Sequence, residues 1–116
     1  MMNSKFNIEI NDKYAVIGLN DDQLGGSDAL EFTNLINDLK LKNLNNVVCD
    51  LNNVKLMNSS GLGMLVAALS SFKKVNTKFT LVSIPDNIMN LITMTHLDKV
   101  FEIRANQEEV INSLDK

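Results

Sequence analysis

Apolar residues alternate with polar ones at the start of the chain and switch to a three-to-four residue spacing further on, which predicts strands first and helices after. Phe6, Ile8 and Ile10 form one alternating set, and Tyr14, Val16, Ile17 and Leu19 form a second after the turn-forming Asn11-Asp12-Lys13. Two strands joined by a short turn account for both. The stretch "NDDQLGGS", residues 20–27, reads as loop, and Ser27 or Asp28 is placed to cap a helix whose apolar face is Ala29, Phe32, Leu35, Ile36 and Leu39. Val47 to Leu51 is a short apolar run rich in β-branched residues, as expected of a central strand buried on both faces.

A helix is expected from about Ser60, with Leu62, Leu65, Val66, Leu69 and Phe72 on one face. "FTLVSI", residues 79–84, predicts another strand, and Pro85 with Asp86 starts a short helix bearing Ile88, Leu91 and Ile92. "KVFEI", residues 99–103, supplies a last strand, after which Asn106 to Glu109 has the spacing of a capping box ahead of Val110, Ile111 and Leu114. The pattern therefore predicts an α/β fold with a mixed β-sheet. An N-terminal antiparallel pair is followed by β-α-β crossovers, and about four helices cover the sheet.

Composition narrows what such a domain does. The 116 residues, 45% of them apolar, suffice for one core, and a single domain spanning 1–116 is expected. The net charge of −3 is spread along the chain without a basic stripe, which argues against direct nucleic-acid binding. The alternating amino terminus does not have the apolar core of a secretory signal, and no apolar stretch has the length needed to cross a bilayer, so a cytoplasmic protein without membrane insertion is expected. One cysteine and one histidine, Cys49 and His96, cannot make a zinc site, and no metal or cofactor is expected. Cys49, inside the apolar run, reads as a small buried hydrophobe, and His96, after "LITMT", as a residue that ends a helix by accepting positive φ.

The chemistry that remains lies in "MNSSGLGML", Met57 to Leu65, where two adjacent hydroxyls sit between a strand-like run and an apolar helix. In open α/β sheets, binding gathers where strand ends meet helix amino termini. The free N–H groups and macrodipole of such a terminus tolerate a phosphate on Ser59 or Ser60. Capping by Asn or Ser explains one polar residue there, with Ser60 expected as the cap, but it does not explain all three. "SGLG" does not have the spacing or the lysine of a phosphate-binding loop, so the chain is not expected to carry its own nucleotide site or to be an enzyme.

The stretches "VVCDLNNVKLMNSSGLGMLVAAL" and "FTLVSIPDNIMNLITMTHLDKVFEI" resemble the STAS family, and within it the single-domain anti-sigma factor antagonists of bacteria. The family's signature, Asp-Ser-Ser/Thr-Gly-x-Gly opening a helix, reads here Asn58, Ser59, Ser60, Gly61, Leu62, Gly63. The resemblance implies a STAS-like fold in which these six residues form the partner-binding surface. It also implies phosphorylation of Ser59, with Ser60 the second candidate, by a partner that is both an anti-sigma factor and a serine kinase of GHKL type. A serine phosphatase would reset the switch. The unmodified form would bind the anti-sigma factor and release a sigma factor; the alternative is a STAS adaptor subunit, never phosphorylated, in a lipid-transport or signalling complex. Two departures from the family pattern are plain: Asn58 stands where Asp is usual, and "NDDQLGG" replaces the Gly-Glu-Leu-Asp turn after the second strand.

Overall fold

The computed structural model describes residues 6–19, 23–25 and 29–114. The expected caps at Ser27 and Asp28 lie outside them. Strand β1 (Phe6–Ile10) pairs antiparallel with β2 (Tyr14–Leu19), and a tight turn closed by Asn11 N–H donating to Tyr14 C=O joins them. Two-residue β3 (Gln23–Leu24) precedes α1 (Ala29–Lys40), after which come β4 (Asn46–Asp50) and two-residue β5 (Leu56–Met57). Helix α2 (Ser59–Lys73), β6 (Lys78–Val82), α3 (Asp86–Met94), β7 (Glu102–Arg104) and α4 (Gln107–Leu114) complete the chain.

Five strands form the main sheet in the order β1-β2-β4-β6-β7, with every pair after the first parallel. The β-branched run is therefore its middle strand. Residues of β4 alternate between the two faces, Val47 and Cys49 toward one core and Val48 toward the other. The larger core holds Phe32, Ile36 and Leu39 of α1, Leu65 and Phe72 of α2, and Ile88 and Ile92 of α3 against Ile17, Val47, Phe79 and Leu81. On the opposite face α4 contributes Val110 to a small cluster with Val16, Val48 and Val82. This is the mixed α/β sheet with four helices that the apolar pattern predicts.

Local signals hold in several places. His96 adopts φ 62° just past Thr95, the C-cap of α3, and Asn106 Oδ1 accepts from Glu109 N–H at 3.0 Å, which is the N-cap half of the expected capping box without the return bond from the Glu109 side chain. Burial pushes the Cys49 thiol up to about 12, with Asp50 adding repulsion, so the group stays protonated and inert within the core.

Three expectations shift. Ile8 and Ile10 share the face that holds Phe6 but are 39% and 51% exposed, because β1 is an edge strand that the helices do not fully cover. Strand β6 stops at Val82, since Ser83 takes φ 54° and leaves the extended region. The last strand begins at Glu102 instead of Lys99. A 3-10 turn over Leu97–Lys99 occupies the preceding residues, and its Leu97 C=O accepts from both Val100 and Phe101 N–H.

Candidate functional site

The turn between β5 and α2 is organised by Asn58. Its backbone is extended (φ −96°, ψ −178°), its C=O accepts from Leu62 N–H at 3.0 Å, and its side-chain Oδ1 accepts from Gly61 N–H at 2.8 Å. Asn58 is thus the N-cap, satisfying a donor that a helix start leaves orphaned. The expected assignment of the cap to Ser60 is corrected, and the helix opens at Ser59, one residue earlier than predicted. The reason is local: Asn58 is the first residue whose side chain reaches the third N–H of the helix.

The short parallel ladder of β3 with β5, pairing Gln23 with Leu56 and Leu24 with Met57, brings the β2–α1 connection against this turn. Contact there is closer than side chains allow. A Cβ on Gly61 would stand 2.3 Å from Leu24 O, and one on Gly25, which has φ 125°, would stand 2.0 Å from Asn58 Oδ1. Both glycines are therefore needed for backbone to approach backbone. Farther along, Asn87 Nδ2 of α3 donates to Lys55 C=O at 2.7 Å and ties the β4–β5 connection from the other side.

The six candidate residues divide by direction. Asn58, Ser59, Ser60 and Gly63 are exposed, whereas Gly61 is buried beneath Leu24 and Leu62 is 8% exposed within the larger core. Gly61 and Leu62 pack inward, because a helix start turns one of its sides to the sheet, and the four exposed residues make up the outer surface of the motif. A Cβ on Gly63 would meet nothing within 4 Å. Neither serine hydroxyl hydrogen-bonds to another described residue, and the first turn carries no acidic side chain. Two free hydroxyls thus stand on the outer side of a helix amino terminus, where added negative charge is favoured by the dipole and by the first-turn N–H groups.

Leu24, Gly25 and the exposed Leu56 shape this surface from outside the motif; the first two belong to the "NDDQLGG" loop that the resemblance marked as a departure, whereas Leu56 carried no sequence signal. The Gly25-Gly26 pair was the available signal, since adjacent glycines often mark a close backbone approach. Among the described residues, no group of three or more His, Cys, Asp or Glu is placed to hold a metal ion, and no helix is long and apolar enough to cross a membrane.

A five-stranded mixed sheet with a capped helix that opens on paired serines after the β4–β5 connection defines a class, and the family model for the STAS domain matches residues 6–110. The chain belongs to the STAS domain family. Its fold is shared by a Thermotoga maritima protein assigned as an anti-sigma factor antagonist (TM-score 0.78, 23% identity, covering 96% of this chain and 95% of that one). It is also shared by an anti-sigma-factor antagonist (STAS) domain protein from Planctomyces limnophilus (TM-score 0.83, 17% identity, 97% of this chain and 100% of that one). A third similar structure is the Bacillus cell fate determinant SpoIIAA in its phosphorylated form (TM-score 0.73, 17% identity, 94% of this chain and 98% of that one).

Proposed function

We propose that this chain is a cytoplasmic anti-sigma factor antagonist that works as a single STAS domain and is switched by phosphorylation of Ser59. The observation that carries the reading is the exposed, internally unbonded Ser59 hydroxyl at the first position of α2, beside a cap that Asn58 supplies. Unmodified, the surface of Asn58, Ser59, Ser60 and Gly63 binds an anti-sigma factor that is also a serine kinase of GHKL type, and a sigma factor is freed. The kinase supplies ATP, Mg²⁺ and the base that takes the hydroxyl proton; this chain is the substrate. A phosphoryl group adds about −1.5 to −2 charges and needs room, so it displaces the partner without unfolding the domain. A serine phosphatase restores the binding form.

Incubation with the cognate kinase and ATP, followed by peptide mass spectrometry on wild type, Ser59→Ala and Ser60→Ala, tests the assignment. One phosphate on wild type and Ser60→Ala, and none on Ser59→Ala, is the expected result. The reverse pattern moves the site to Ser60. A second reading has its own observation: Asn58 removes the acidic charge usual before the serine, which suits a constitutive STAS adaptor in a larger assembly. Absence of phosphate on wild type with a kinase that binds it would mark a domain that has lost the switch and put that reading in place of the first.

A further inference from the structure

At the opposite end of α2 from Ser59, a cleft of about 440 Å³ opens between the end of that helix and the starts of β6 and β7. The 15-residue helix separates the two places by roughly 20 Å at 1.5 Å per residue. Leu69 and Val100 give the cleft its accessible apolar surface over a floor of nearly buried Phe79 and Phe101, and Lys73, Lys78 and Lys99 line it as well. Three features set it apart from ordinary surface. The volume falls within the range of small-molecule sites, whose usual makeup is apolar walls with a few polar groups. All three lysines are exposed, and none forms an ion pair with a described residue, in a chain whose net charge is −3. Glu102, the one carboxylate among the described lining residues, is held by Arg104 in an ion pair and leaves the lysine charge uncancelled.

Val100 is 53% exposed on this surface, an apolar side chain offered to solvent beside cationic groups. Long lysine stems lie along apolar surface while their ammonium groups stay in water, so an occupant meets carbon first and charge at the mouth. We infer that the cleft binds a small amphipathic anion, a free carboxylate with a short alkyl tail, its tail on Leu69 and Val100 and its head among Lys73, Lys78 and Lys99. The site goes beyond the Ser59 switch and depends on no kinase.

Titration of the isotope-labelled full chain with octanoate, read by amide chemical shifts, tests this directly. Saturable shifts are expected at Leu69, Lys73, Phe79 and Val100, and octan-1-ol, with the same tail and no charge, should bind at least ten-fold more weakly. Exposed charges each contribute modestly, so each single Lys→Gln change should weaken octanoate about two- to five-fold, and the triple change more than ten-fold, with an unchanged thermal midpoint. Val100→Ser should also weaken it, and does not disturb the core. Octanoate that gives no saturable shift at millimolar concentration overturns the inference, as does equal affinity for octan-1-ol or for the triple variant. Inorganic phosphate saturating the same amides as tightly as octanoate would also overturn it, since the tail would then play no part. Because no partner or ATP is present, failure here leaves the Ser59 reading standing, and failure of that reading leaves this result intact.

Discussion

The two sides of the first turns of α2 obey different rules. On the inner side, Gly61, Leu62 and Leu65 face Leu24 and the sheet, and space is so limited that a single added methyl at Gly61 collides with a carbonyl oxygen. On the outer side, Ser59, Ser60 and Gly63 face open space, and the same methyl at Gly63 touches nothing. Two glycines two residues apart thus have opposite meanings. The lesson is that the motif is half scaffold and half surface: the inner residues set the height at which the outer hydroxyls stand.

Leu65→Asp should break the inner side outright. Leu65 is fully buried, and an unpaired carboxylate there has no partner and no water, so the variant should unfold or accumulate as aggregate. A soluble product with a wild-type thermal midpoint would contradict the packing. Gly61→Ala comes next: overpacking against Leu24 O should cost about 1–3 kcal/mol, read by urea denaturation, and should weaken partner capture by pushing β3 away from β5.

Asn58→Ala should cost about 1 kcal/mol through loss of the cap on Gly61 N–H. Asn58→Asp should keep the fold, restore the acidic residue usual in the family and reveal, by the initial rate of phosphate uptake, whether the kinase reads that charge. For Gly63→Ala the expected sign is opposite, a gain of about 0.5–1 kcal/mol, because glycine within an exposed helix is conformationally costly and nothing obstructs a methyl. Gly63→Leu should retain folding stability and lose partner affinity; equal losses of both would place Gly63 with the inner residues. Smallest of all, Ser60→Ala should change stability by no more than about 0.5 kcal/mol, since its hydroxyl caps nothing.

Much of the architecture was legible in the chain because it rests on periodicity. The faces of α1, α2 and α3, the first hairpin and the central place of β4 all follow from where apolar residues repeat, and each repeat spans enough residues to be distinguished from chance. Positive φ at His96 and the Asn106 cap were legible for a related reason, since each depends on one residue's own chemistry. Ile8 and Ile10 show where periodicity misleads: alternation identifies a face of the strand but not whether anything covers that face, and at a sheet edge the cover is incomplete.

The candidate site divides along the same line. That Asn58, Ser59 and Ser60 open a helix could be read from residue type and spacing, because capping and helix initiation are properties of a few neighbouring residues. Which of them caps turns on the residue where the helix opens, a choice that residue type leaves open between neighbours. Which of the six motif residues faces outward could not be read, because it depends on Leu24 and Gly25, more than thirty residues earlier, arriving through a two-residue ladder too short to leave any alternation in the sequence. The lysine cleft is of the same kind, assembled from the end of α2, the start of β6 and the turn before β7. Sequence by itself determined the four helices and the strands of the main sheet, since each is a local repeat of hydrophobicity and propensity. Tertiary structure alone decided which surfaces those elements leave open, because exposure depends on what distant segments pack against them.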